Sequence, residues 1–297
     1  MVFSIKQKAY ASLFITCIAW GTTWVVSKIA VQGAPGLQVS CIRQFLAGCL
    51  LLLFFTFKKE KLPTRQQFIW LLVSSLFLVV FNSGLTTWSI KYIPSGLAAL
   101  IGALYPLFVV IIEMMFLKTR NYSLLTFTGL ITGIGGISLV FYENAFHDHP
   151  AGYSFGLFLC FTGIISWSIG TILIARNKYQ MNPYYALGWQ LFLASLMLYV
   201  FAVSTDNFIP VSIIPAKTWI GIAYLVVVGS VIAFVAFIYS IKYLPPALAS
   251  LYAYINPIVA ILIGSVVFNE RLTLNILTGS VITLAGVYMV NLSLKKK

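Results

Sequence analysis

Apolar residues run along the chain in ten stretches of about 20, the length that crosses a bilayer core as a helix. They span 9–31, 38–57, 67–90, 95–117, 123–142, 152–175, 183–203, 216–240, 246–268 and 273–292. Between them stand helix-breaking or polar segments: Gly33-Ala34-Pro35-Gly36, Lys58 to Arg65 with Pro63, Pro94, Asn144 to Pro150, Asn182-Pro183, Pro210 to Pro215 and Pro245-Pro246. Lipid-exposed backbone must satisfy its own hydrogen bonds, so runs of this length predict helices and not the strands of an open sheet. The first run is longer than the apolar core of a signal peptide and lacks a cleavage site, which predicts a first membrane helix. The expected fold is an all-α integral membrane protein of ten transmembrane helices.

Composition agrees. Of 297 residues, 60% are hydrophobic and 8% charged, too few charges to coat a soluble globule. The net charge of +13 sits in short clusters between the apolar runs and not in a continuous stripe, which argues for topology and against nucleic acid as a partner. With both termini cytoplasmic, the inner loops and tails hold 14 of the 19 basic residues, among them Lys58, Lys59, Lys61, Arg65, Lys118, Arg120, Arg176, Lys178 and Lys295 to Lys297. That is the bias of the positive-inside rule and predicts the orientation. The four cysteines lie inside apolar runs and read as packing residues.

Displaced by 151 positions, the chain matches itself. Ser89-Ile90-Lys91-Tyr92-Ile93-Pro94 falls on Ser240-Ile241-Lys242-Tyr243-Leu244-Pro245, and Leu97, Ala98, Leu100 and Pro106 fall on Leu248, Ala249, Leu251 and Pro257. Nine of the 18 pairs from 89 to 106 are identical, and apolar composition alone does not bring two prolines, a lysine and a tyrosine into register. Nearby offsets pair Trp20 with Trp167 and Gln44 with Gln190. The expected domains are 1–147 and 148–297, each with five helices. An odd number of crossings inverts the second half, an architecture that recurs in secondary transporters with the substrate site between the halves.

Ala19-Trp20-Gly21 through Trp24 and Lys28, Arg43 through Ala47, the repeated Pro-Leu-Ala-Pro pattern, Asn269-Glu270-Arg271-Leu272-Thr273 and the glycine-rich end of each half resemble the drug/metabolite transporter superfamily, specifically its EamA-type ten-helix permeases. The resemblance covers essentially the whole chain. It departs at Lys118-Thr119-Arg120, where the first half lacks the acid that Glu270 supplies in the second. The resemblance implies that helices 1 to 4 and 6 to 9 surround a central cavity, with helices 5 and 10 at the periphery.

Trp20, Trp24 and Lys28 recur at i, i+4 and i+8 on one helix face, either as the wall and cationic outer mouth of a substrate path or as interfacial packing residues. Arg43 lies about 7 Å inside the second run and either binds a substrate carboxylate or phosphate or ties helix ends together. Glu113, the one acid well inside a run, either carries a coupling proton or pairs with Lys118 or Arg120. Asn82, Gln190 and Asn256 are neutral polar groups able to orient a ligand or link helices. Tyr105 and Asn256 precede Pro106 and Pro257, which mark kinks. Trp88, Trp167 and Tyr252 complete the candidate substrate surface. His147-Asp148-His149 is too compact for a metal site, which needs three or four ligands with defined geometry, and no cofactor is expected. Glycines 129, 133, 135, 136, 279 and 286 read as close helix contacts, with a homodimer through the peripheral helices left open.

These readings predict a multi-pass permease of the cell inner membrane, not an enzyme. Its expected partners are the lipid bilayer and a small organic solute, an amino acid or related metabolite, moved outward by alternating access. A membrane-embedded lipid-modifying enzyme and a non-transporting scaffold are the alternative readings.

Overall fold

The computed structural model describes residues 4–117, 122–145, 151–176, 180–245, 248, 251–270 and 272–295. Ten long apolar helices lie among the described residues: α1 (Ile5–Ala30), α2 (Gly36–Phe57), α3 (Arg65–Ser89), α4 (Ser95–Phe116), α5 (Leu124–Ala145), α6 (Tyr153–Ala175), α7 (Pro183–Ser204), α8 (Ala216–Tyr243), α9 (Tyr252–Phe268) and α10 (Leu274–Lys295). Their limits follow local chemistry. Ser4 and Thr64 open α1 and α3 with reciprocal capping boxes to Gln7 and Gln67, which start each helix a few polar residues before its apolar run. Prolines 35, 94 and 215 stand at the N-caps of α2, α4 and α8, and Pro183 sits in the first turn of α7 behind the Asn182 cap. Helix α9 is described only from Tyr252, later than the predicted 246, because most of 246–250 lies outside the described residues, as do Lys118, Arg120, His147 to His149, Lys178 and Arg271.

The helices form two inverted five-helix repeats. α1 packs on α8 and α9, α2 on α7, α3 on α6 and α7, and α5 on α10. The last pair uses up its own small-residue faces. A Cβ at Gly286 would lie 2.2 Å from the Gly133 backbone nitrogen, and one at Gly136 would lie 2.3 Å from that of Thr283. Thr126 Oγ1 donates to Ser293 Oγ at 2.9 Å across the same seam. Gly129, Gly136, Gly279 and Gly286 therefore meet inside one chain, whereas Gly135 faces outward.

Two wide π-helical turns interrupt α3 at Leu76–Gly84 and α8 at Leu225–Ile232, at nearly equivalent places in the two repeats. A π-turn shifts the helical register by one residue and turns its neighbours onto a new face. In α4 the helix breaks at Ala103 and Leu104 before resuming at Tyr105–Ile112 behind Pro106, whereas Pro257 sits within a continuous α9. The two prolines are equivalent in sequence, but Pro106 stands two residues after the break at Leu104, whereas Pro257 stands six residues after Leu251, the turn residue before α9.

Candidate functional site

A cavity of about 170 Å³ lies among eight helices, α1 to α4 and α6 to α9; α5 and α10 contribute nothing to its lining. The first repeat supplies Trp20, Thr23, Trp24, Ser27, Arg43, Gln44, Asn82, Ser83, Thr86, Thr87 and Tyr105, and the second supplies Trp167, Leu191, Phe234, Tyr252 and Asn256. It reaches from mid-helix toward the end of the bundle opposite the chain termini.

Aromatic rings close the end nearer the termini. Trp20 meets Phe234, Phe237 and Tyr252 with centroids 5.0, 5.1 and 5.2 Å away, edge-on or tilted, arrangements favoured by ring quadrupoles. Its Nε1 donates to the Gly229 carbonyl at 3.1 Å, a group on the π-turn of α8. Tyr252 Oη donates to Tyr105 Oη at 3.3 Å. With its amide oriented as its neighbours require, Asn256 donates to the Cys17 and Tyr252 carbonyls at 2.9 and 3.0 Å. These bonds hold four candidate residues, Trp20, Tyr105, Tyr252 and Asn256, in one layer.

Arg43 is the one charged group in the lining among the described residues. Its Nε donates to Ser230 Oγ at 2.8 Å, and no carboxylate among the described residues pairs with it, since Lys28–Glu270 is the only ion pair among them. An arginine at this depth costs about 2.5–3.5 kcal/mol to insert. Beside it Gln44 Nε2 donates to Ser83 Oγ at 2.9 Å, while Gln44 Oε1 is buried without a donor among the described residues.

Four candidates lie elsewhere. Lys28 turns away from the cavity: its Nζ donates to Glu270 Oε1 at 2.9 Å and to the Ile93 carbonyl at 3.3 Å. It is thus a neutralised clasp and not a free cation at a mouth. Trp88 packs edge-on against Phe155 and Phe201. Gln190 donates to Ser74 Oγ at 2.9 Å between α7 and α3. Glu113 accepts from Tyr122 Oη at 3.1 Å at the far end of α4, and its sequence partners Lys118 and Arg120 lie outside the described residues.

The Glu270 clasp was missed as a unit. Besides Lys28, its carboxylate accepts from Ser95 N at 2.7 Å, Ser95 Oγ at 2.8 Å and Gly96 N at 3.1 Å. A second-repeat acid thus caps α4 of the first repeat, whose own N-cap, Pro94, has no side-chain acceptor. Burial pushes the carboxyl pKa up. The Lys28 charge and bonds from Lys28, Ser95 and Gly96 outweigh it, leaving the pKa below the ordinary 4.5. Stability from this group is therefore complete above pH 4.5 and declines as pH falls from there through the folded value. Glu270→Gln is expected to cost about 2 kcal/mol, discounted because Lys28 is partly exposed. Melting curves of the purified protein across the acid range check both effects: the mutant should melt lower near neutrality and lose the acid-dependent part of the wild-type decline.

Ser83, Thr86 and Thr87 were also missed. With Asn82 they repeat at i, i+1, i+4 and i+5 in an apolar run, a polar helix face that the spacing does carry.

The EamA-like transporter family matches residues 7–142 and again residues 154–292. The chain belongs to that family. Among its relatives, the uncharacterized inner membrane transporter YedA of Escherichia coli K12 is 31% identical over 267 residues, covering 89% of this chain and 84% of the relative. The uncharacterized transporter YvbV of Bacillus subtilis is 23% identical, covering 96% and 92%, and protein PecM of Dickeya dadantii is 25% identical with the same coverages. A solved crystal structure superposes with a TM-score of 0.65 at 14% identity, covering 97% of this chain and 98% of its own, a likeness of fold. The chain is a multi-helix membrane transporter by family, and its cavity is built by both matched segments.

Proposed function

We propose that this EamA-family transporter moves a small organic metabolite out across the cell inner membrane by alternating access. The observation that carries the reading is the polar-aromatic cavity shared by eight helices of the two inverted repeats. Repeats 1–147 and 148–297 rock about it, with Trp20, Trp24, Arg43, Asn82, Tyr105, Trp167, Tyr252 and Asn256 contacting the solute. The basic bias of the loops supports cytoplasmic termini, so the aromatic layer faces the cytoplasm and the Lys28–Glu270 clasp the outside. The inner-membrane setting rests on the relative YedA.

Reconstitution into liposomes with a panel of metabolites tests the proposal. Flux of at least one solute is expected. Ala99→Phe, which places a ring in the cavity wall, should reduce that flux to background while leaving the protein folded. No flux for any solute from folded protein would refute transport. Flux driven by a pH gradient that survives Glu113→Gln would remove Glu113 from proton movement.

A further inference from the structure

The cavity also specifies the charge of what it holds. We infer that the solute is an organic monoanion, a carboxylate with an apolar planar or aliphatic body and no ammonium group, bound through Arg43; this rests on the cavity being the transport site.

The first step is electrostatic balance. Arg43 brings a positive charge into a lining whose other polar side chains carry hydroxyls, amides and indole N–H groups, with no aspartate or glutamate among the described residues. A bound anion completes the pair that the fold leaves open, whereas a cation meets like charge at short range in a poorly screened site. A zwitterion gains at its carboxylate and loses at its ammonium, which finds no acid.

Geometry gives the second step. Arg43 Nε donates to Ser230 Oγ, and no hydrogen bond among the described residues engages its two terminal nitrogens, the fork that binds a carboxylate bidentately. The fork is held before any ligand arrives. Gly229 leaves it room, since a Cβ there would lie 3.0 Å from a terminal nitrogen, and the Gly229 carbonyl is fixed by the Trp20 indole. Such preorganisation lowers the cost of binding.

The third step is asymmetry. The alignment of Gln44 with Gln190 puts Trp189 where Arg43 stands, so the second repeat supplies no matching cation. One cation beside a wall containing Trp20, Trp24 and Trp167 fits one anionic head and one apolar body.

Binding to the full-length protein in nanodiscs, measured by calorimetry, tests this with matched sets: phenylacetate, phenylacetamide, phenethylammonium and phenylalanine, then the corresponding indole and butyl series. In at least one set the carboxylate should bind about tenfold or more tightly than its neutral, cationic and zwitterionic counterparts. Arg43→Gln should erase that preference, while Ser230→Ala, which keeps the charge, should retain it with weaker binding. If Arg43→Gln does not fold, the wild-type comparison decides alone. A carboxylate preference in none of the sets, or one that survives in folded Arg43→Gln, overturns the inference. Flux of a neutral or cationic solute that Ala99→Phe abolishes would overturn it too while leaving transport intact; absence of all flux would instead sink transport itself.

Discussion

Replacing Trp20 by alanine is expected to lower stability by about 3 kcal/mol, the low end for a tryptophan truncation because one side of the ring faces the cavity. It is also expected to take transport to background. The ring is the hub of the aromatic layer, touching Phe234, Phe237 and Tyr252 from α8 and α9. Its loss takes one partner from each of three rings, of which Phe237 and Tyr252 still meet each other at 5.1 Å, in a layer that separates the cavity from the terminal end of the bundle. Trp20→Phe separates the two contributions. It keeps one ring in the layer and loses the bond to the Gly229 carbonyl together with the volume of the second ring, which should cost about 1–2 kcal/mol and preserve much of the flux. Apparent melting temperatures and liposome flux on the same preparations check the pair. A folded Trp20→Ala protein with wild-type flux would remove the aromatic layer from the mechanism.

The same helix shows what was legible in sequence and what was not. Membrane spans are written in composition, and the match of 89–106 on 240–257 announces the repeat because prolines, lysine and tyrosine recur in register. The spacing of Trp20, Trp24 and Lys28 suggests one face. However, successive i+4 steps each overshoot a full turn, so a residue eight positions on is rotated by about 80°. Ser27, seven positions from Trp20, returns to within about 20° and lines the cavity; Lys28 does not. Its actual partner, Glu270, lies 242 residues away, a pairing that no local spacing encodes.

Trp88 and Gln190 lie outside the cavity lining for a related reason. Trp88 is six residues from Asn82, about 240° around the helix, and faces Phe155 and Phe201. Gln190 is next to Leu191, and only the latter looks inward. The π-turns that aim Asn82 and Ser83 into the cavity and hold Gly229 against Arg43 and Trp20 depend on packing between helices, so apolar runs read one at a time contain no sign of them. Arg43 was legible as a residue with something to do, because charge within a membrane helix is costly. That it stands without an acid became visible only when the lining was assembled.

Gly286→Leu should be the most damaging change away from the cavity. A side chain there meets backbone, 2.2 Å from Gly133 N and 2.5 Å from Gly133 Cα, and backbone cannot rotate aside as a side chain can. Overpacking of this kind should cost about 3 kcal/mol, forcing α5 and α10 apart along the seam that also carries the Thr126–Ser293 bond. Gly135→Leu, on the exposed outward face of α5 with nothing within 4 Å of its added Cβ, is the control. It should be neutral or stabilise by up to about 1 kcal/mol through helix propensity. Because α5 and α10 give no residue to the cavity, the damage should fall on the amount of folded protein and not on its activity. Quantitative immunoblotting against flux per folded molecule distinguishes these. Low abundance with unchanged specific flux fits a peripheral brace; a fall in specific flux at normal abundance would mean that α5 and α10 take part in the transport cycle itself.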